Sequence, residues 1–245
     1  MRDLRGRARE PAGEGRSRRE AALHPQLVDT DAITPQPRDN LLARQRGWVG
    51  ACIVMYSGNV GHSQGLGVLL DIAPQLGGVR LVIVGQGAGH RALQGAARTR
   101  ALGNVEFHGF AERAELPLLL AAADVSLVMM RPELSVESVP SKLYAIMSSA
   151  RPVLLVGSPD SDAWRLVARA RAGVCVRHGD QAALVRAVMQ LRDDPDLCAR
   201  LGANGRWYAV EHGSRKAGVQ RYTSLVASLR VADVCSSWPS GTCER

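Results

Sequence analysis

Aromatic side chains are scarce in this chain: two Phe, four Trp and four Tyr among 245 residues. The core therefore has to be filled by Val, Leu, Ala and Ile, which suits packed parallel strands and helices better than a β-sandwich. Metal-ligand spacing is also missing. Cys52, Cys175, Cys198, Cys235 and Cys243 form no CxxC pair and no Cys/His cluster. An odd set of this kind points to free thiols in a reducing compartment, with only Cys235 and Cys243, in the polar tail, placed to react or pair. Nor does an apolar run follow the basic opening, so that stretch reads as neither a signal peptide nor a membrane span.

What is present is ordinary for a globular protein: 46% hydrophobic and 22% charged residues, with chain enough for one good core and part of a second. The formal net charge of +8 is unevenly placed, with seven arginines between Arg2 and Arg19. Attraction to anionic lipid or nucleic acid is one reading of such density. Low hydrophobicity with high charge more simply gives a disordered leader. No aromatic residue interleaves these arginines, which argues against a nucleic-acid partner. Residues 1–22 are read as leader and 23–50, with Pro25, Pro35 and Pro37, as linker. Residues 51–228 form one domain, and 229–245, with Pro239 and Gly241, a loose tail.

From Cys52 onward short apolar runs alternate with longer amphipathic ones. Strands are expected at 52–56, 79–84, 105–107, 125–129, 153–156 and 174–176. Helices are expected at 65–76, 90–102, 112–122, 141–149, 160–171 and 180–192, with two more beginning near Pro195 and Ser214. Repeated strand–helix units imply parallel strands joined by right-handed crossovers. Six of them favour an α/β fold with a doubly wound, Rossmann-like sheet, ordered 3-2-1-4-5-6, over a barrel of eight. Its ligand crevice lies where the first and fourth strands are neighbours and their connections leave in opposite directions.

Small and basic residues gather at that crevice. The first strand ends in Ser57-Gly58-Asn59-Val60-Gly61-His62 and the second in Gly85-Gln86-Gly87-Ala88-Gly89. Glycine there lets backbone N–H groups approach an anion, and equally serves an ordinary tight turn. The pattern is not GxGxxG with a downstream acid, so a nicotinamide dinucleotide fits poorly. After the fourth strand, Pro140 suits the first turn of a helix and Ser138 a cap, leaving the N–H groups of Val139, Ser141 and Lys142 toward the crevice. A helix N-terminus with a lysine and hydroxyls makes a diphosphate cradle. Lysine opposes the helix dipole at that position, so either a bound phosphate or simple solvation has to account for it. Asp160-Ser161-Asp162 is formally a DxD metal motif, but it opens a helix, where capping and dipole complementarity explain it better.

The run from Val54 to about Tyr222 resembles the C-terminal domain of the GT-B-fold glycosyltransferases, in particular bacterial polysaccharide-type enzymes of family four. The matching pieces are YSGNVGHSQGL, LVIVGQG, NVEFHGF, LLAAADVSLV, ESVPSKLYAIMSSARPVL and LGANGRWYAVEHG, in that order, and VDTDAITPQPRDN resembles the linker before that domain. The resemblance implies transfer of a sugar, with retention, from a nucleotide-diphosphate sugar, a UDP-sugar by the family's habit, to a glycan or lipid-linked acceptor. Gly58, Asn59 and Gly61 would then lie beneath the donor diphosphate, Gly85 and Gly87 along the nucleotide, and the loop 108–110 near the base. Glu137 matches the first glutamate of a Glu-x7-Glu motif and would contact the donor sugar. Ser141 and Lys142 would hold the phosphates, flanked by Ser138, Val139 and Pro140, with Glu137 and Lys142 as the catalytic pair.

Three positions depart from the family pattern: Ala145 stands where a second glutamate binds the ribose, Ala150 where glycine is common, and Gln86 where an acid is frequent. No cofactor and no metal are expected. Fewer than about fifty residues precede the first strand, too few for the acceptor-binding domain of such an enzyme. An acceptor-domain partner chain, a cytoplasmic location and peripheral contact with the inner membrane face are the corresponding expectations. A non-catalytic nucleotide-sugar-binding module and a sugar-nucleotide 2-epimerase fragment are the alternatives.

Overall fold

The computed structural model describes residues 27–61, 64–130 and 139–228. Six strands form one parallel sheet: β1 (Cys52–Ser57), β2 (Val79–Val84), β3 (Val105–His108), β4 (Val125–Met129), β5 (Val153–Gly157) and β6 (Gly173–Arg177). Their order is β3-β2-β1-β4-β5-β6, as expected from the sequence. Register is set by apolar pairs such as Val54 opposite Leu81 and Val125, and Leu155 opposite Cys175. Because both faces are covered, β1, β4 and β5 are buried along nearly their whole length and read as continuous aliphatic runs.

The helices in chain order are α1 (Leu41–Gln45), α2 (Gly67–Ile72), α3 (His90–Thr99), α4 (Leu116–Ala122), α5 (Ser141–Ser148), α6 (Asp162–Ala170), α7 (Gln181–Asp193), α8 (Pro195–Tyr208) and α9 (Arg215–Ser228). Alternation along the strands sorts the core by face. Tyr56, Ile83, Leu127 and Val156 pack toward α2 and α7, while Val128, Leu155 and Met130 pack toward α5 and α6. A third cluster joins Ile53, Met55 and Val82 to α1 and α4.

Several helices are shorter than the periodicity predicts, and in two of them proline is the reason. Pro117 lies in the first turn of α4, so the chain from Glu112 to Glu115 forms a turn instead of helix. Pro74 cannot donate to the preceding turn, and the end of α2 tightens into a 3₁₀ turn over Ala73–Gln75.

The segment before β1 is fastened by side chains that reach far along the sequence. Asn40 caps α1, accepting from the Ala43 N–H at 3.0 Å, and its amide donates to the Leu118 carbonyl at 2.9 Å. Arg38 pairs with Asp124 at 2.8 Å, and Asp124 also accepts from the Ile53 N–H at 2.7 Å. Trp48 is fully buried, its indole donating to Glu106 at 3.0 Å. At the other end a π-helical turn, Ala209–Gly213, brings Gly213 against the Tyr144 ring. Val28 bonds to the Gly213 carbonyl at 2.9 Å, which closes this side of the domain.

Candidate functional site

β1 and β4 are neighbours, and the segments that follow them lead to α2 and α5 on opposite faces of the sheet. The opening between them is the switch point where doubly wound folds take ligands.

The loops after β1 and β2 are zipped together by backbone. The N–H of Gly58 donates to Val84, that of Val60 to Gln86, and that of Gly89 back to Val60, each at 2.9 Å. Gly58 and Val60 thus have no N–H left for an anion, contrary to what a glycine-rich turn alone suggests. Gly85 and Gly87 adopt positive φ of 139° and 155°. A Cβ on Gly85 would overlap the Gly58 carbonyl, and one on Gly87 the Val60 carbonyl and the Asn59 side chain. Loop-to-loop approach therefore requires glycine at both positions. A Cβ at Gly61 would meet the flexible Gln64 side chain and touch that of Asn59, and one at Gly58 would lie 3.4 Å from the Lys142 ammonium.

That ammonium is the chemical centre of the crevice. Lys142 is the second residue of α5, and Pro140, in extended conformation, occupies the cap position, so the cap is not Ser138. Among the described residues no side chain caps the helix, and no acidic residue lies in its first turn; the Leu143 N–H donates back to the Pro140 carbonyl at 2.9 Å. The N–H groups of Ser141 and Lys142 belong to the set that a helix start leaves without intrahelical partners. Lys142 Nζ lies 4.1 Å from the centroid of the Tyr56 ring and 3.4 Å from the Ser57 carbonyl. Tyr56 is buried and donates its hydroxyl to the Asn59 carbonyl at 2.8 Å. Burial pushes the Lys142 ammonium down to about 8 and the Tyr56 phenol up to about 12. Among the described residues no carboxylate pairs with Lys142.

The balance of effects at Lys142 is informative. Opposing the helix dipole costs about 0.5 kcal/mol, and the cation–π contact returns about 1 kcal/mol. Neither matches the hydration lost by a partly buried ammonium, and among the described residues no carboxylate offsets its charge. Of the 31 lysines and arginines only Lys142 and Lys216 are lysines. A chain built almost wholly on arginine has, at this partly buried position, the compact cation suited to a point contact with phosphate.

The structure brings Gly58, Asn59, Lys142 and the α5 terminus, with Pro140 and Ser141, to one crevice, while Val139 packs against the apolar cluster of α5 and α6; Gly85 and Gly87 support the crevice from behind. Glu137, Ser138 and His62 lie outside the described residues. Tyr56 is the member that motif reading missed: its signal was an aromatic at the end of an otherwise aliphatic strand in a chain with only four tyrosines. A cavity of about 240 Å³ opens over the ends of β4, β5 and β6, floored by Met129, Met130 and Val156 and edged by Arg177 and Asp180. In the DxD motif, Ser161 is the residue that caps α6, accepting from the Trp164 N–H at 3.2 Å, and Asp162 stands in the first turn. Among the described residues no group of three His, Cys, Asp or Glu could hold a metal, and no helix is long and apolar enough to cross a membrane.

A six-stranded parallel sheet in this order, with a lysine in the first turn of the helix at its switch point, matches the C-terminal half of the GT-B architecture, and the comparisons identify the family. Residues 51–194 match the family Glycosyl transferases group 1, to which the chain belongs. WcaI of Escherichia coli (strain K12), named for colanic acid biosynthesis glycosyl transfer, is 31% identical over 141 residues, covering 56% of this chain and 35% of WcaI. WbjE of Pseudomonas aeruginosa, named as a glycosyltransferase, is 26% identical over 200 residues, covering 80% of this chain and 50% of WbjE. The chain thus spans half or less of the curated relatives it matches. Among solved structures, HepE of Anabaena in complex with UDP superposes with a TM-score of 0.71 at 21% identity, over 83% of this chain and 56% of HepE.

Proposed function

We propose that the domain binds the donor of a glycosyltransferase, a nucleotide-diphosphate sugar, and that the diphosphate seats between Lys142, the N-terminus of α5 and the Gly58–Asn59 turn. The Lys142 ammonium carries this reading: it is partly buried, without a carboxylate among the described residues, and set in the first turn of a helix whose cap residue, Pro140, offers no capping side chain. Glycosyl transfer breaks the bond between sugar and diphosphate. The charge that gathers on the departing oxygen is what a lysine and oriented N–H groups stabilise, with no metal needed. Glu137, by resemblance, contacts the donor sugar, and the reaction proceeds with retention. The UDP and UDP-glucose complexes of HepE support uridine as the base.

The acceptor, a glycan or lipid-linked glycan of polysaccharide biosynthesis, would be held by the other half of a GT-B enzyme, in a longer parent chain or a partner chain. Such an enzyme would work in the cytoplasm, with peripheral contact at the inner membrane face. A second reading, a non-catalytic nucleotide-sugar module, draws on Ala145, which packs against the apolar cluster of α5 where a carboxylate would meet the ribose.

Calorimetric titration of the full chain with UDP, GDP and UDP-glucose, beside Lys142→Ala, tests the proposal. One nucleotide should bind saturably, and the substitution should weaken it about tenfold or more, as expected for lost charge-assisted hydrogen bonds. A folded protein that binds none of the three ends the donor reading. Binding without transfer, once an acceptor half and a lipid-linked acceptor are supplied, selects the second.

A further inference from the structure

At the free edge of the sheet, a chain of polar groups links the segment before β1 to the second loop of the crevice. Glu106 of β3 is its hub: it accepts from the Trp48 indole at 3.0 Å and is paired with Arg80 of β2. The Glu106 carboxylate also lies 3.3 Å from His108 Nε2. On its other side the His108 ring meets Arg46, with Nη1 2.8 Å from Nδ1. A guanidinium can only donate, so Nδ1 accepts, and the proton of a neutral ring is on Nε2, donated to Glu106. Trp48 stands edge-on to the ring at 5.4 Å and closes it from that face.

The consequence reaches the crevice through the backbone of the same residue. The His108 carbonyl accepts from the Gly85 N–H at 2.9 Å, and Gly85 lies directly against Gly58. Next in sequence, Gly109 faces the Gln86 side chain and Phe110 is 64% exposed at the mouth of the loop. We propose that His108, locked as the neutral Nε2–H tautomer between Arg46 and Glu106, is a positioning residue that holds the Gly85–Gly87 loop and, through it, the nucleotide side of the donor crevice. This rests on the donor-binding reading. The lock is sensitive to protons. A second ring proton would point at the Arg46 guanidinium, with Arg80 adding like charge and Glu106 the one opposite charge. Burial, with Arg46 and Arg80, already holds the ring below the ordinary histidine range, against the hydrogen bond and charge of Glu106. Protonation therefore opens the Arg46 contact and loosens the strand end that carries the Gly85 bond.

Calorimetric titration with UDP-glucose, whose diphosphate does not titrate in this range, compares pH 7.5 with pH 5.5 for the wild type and His108→Gln. Wild-type affinity should fall about fivefold at the lower pH, the scale of a modest coupling between sites, while His108→Gln binds equally at both. Identical pH dependence in the two proteins overturns the role of His108 and leaves the donor reading standing. Failure of the folded wild type to bind UDP or UDP-glucose at either pH overturns the donor reading instead. Should His108→Gln not fold, imidazole ¹⁵N shifts of the wild type decide: one Nε2–H tautomer near pH 7 supports the lock, and an Nδ1–H or protonated ring refutes it.

Discussion

On the β1–β2 side of the crevice Gly85 and Gly87 are explained by what lies against them, whereas across it Lys142 is not. The glycines let two backbones touch, and their loops spend N–H groups on each other. At the α5 terminus Pro140 contributes no capping side chain, and Lys142 adds a cation that no carboxylate among the described residues pairs with. Among the described residues, packing accounts for the first side and leaves the second without a partner carboxylate. The difference teaches that glycine richness at a switch point is weaker evidence of a ligand than an uncompensated charge. Substitutions on the first side should cost stability and binding together; substitutions on the second should separate them.

The largest effect is expected from Gly85→Ala. The new methyl would meet the Gly58 backbone, and alanine is strained at this φ, so urea unfolding should show a loss of about 3 kcal/mol or more. A loss under about 0.5 kcal/mol, the range of an ordinary surface substitution, would show that the two loops are not held as tightly as their bonds suggest.

Lys142→Met should act in the opposite sense on stability. Removing a partly buried cation that pairs with no carboxylate among the described residues is expected to raise unfolding free energy by about 1 kcal/mol at pH 7 while donor binding drops. The pH dependence follows from the folded chain holding this proton near 8 against an ordinary 10.5. Between those values the unfolded chain binds more protons, so wild-type stability rises with pH relative to Lys142→Met, and below about 8 the penalty is fully present. Donor affinity moves the other way, falling as the ammonium is lost above pH 8. Melting curves of both proteins from pH 7 to 10 check the first statement, and parallel curves would mean that the ammonium is well solvated after all.

Much of this was legible in the sequence, because parallel strands buried on both faces are written as aliphatic runs, and each expected strand lies within one or two residues of its place. The strand order followed from the repeating unit. What local reading could not supply were pairings across long separations. Arg38 with Asp124, Trp48 with Glu106, and Lys142 over Tyr56 join residues 86, 58 and 86 positions apart. Residues 23–50 look like linker by their prolines, yet within the described part of that stretch Trp48 is as buried as any core strand residue. Lysine 142 itself was visible as a dipole conflict, but its meaning came only with the ring beneath it.

The smallest effect tests whether the two ends of α5 are independent. Ala150 follows the C-terminal cap of that helix with φ of 57°, in the left-handed region where glycine is common in the family it resembles. An L-residue there is strained by about 1–2 kcal/mol, of which glycine would lose part again through greater freedom in the unfolded chain. Ala150→Gly should therefore stabilise by about 0.5 kcal/mol, read as a small rise in urea midpoint at unchanged slope. Strain at this end serves helix termination alone, since the Ala150 N–H bonds to Met147 at 3.1 Å and its carbonyl packs against Gly202 of α8. Donor affinity should consequently stay within twofold of wild type, roughly 0.4 kcal/mol. If affinity instead rose or fell with the stability gain, the strain would be coupled along α5 to Lys142, and the contrast between a folding side and a binding side would fail within a single eight-residue helix.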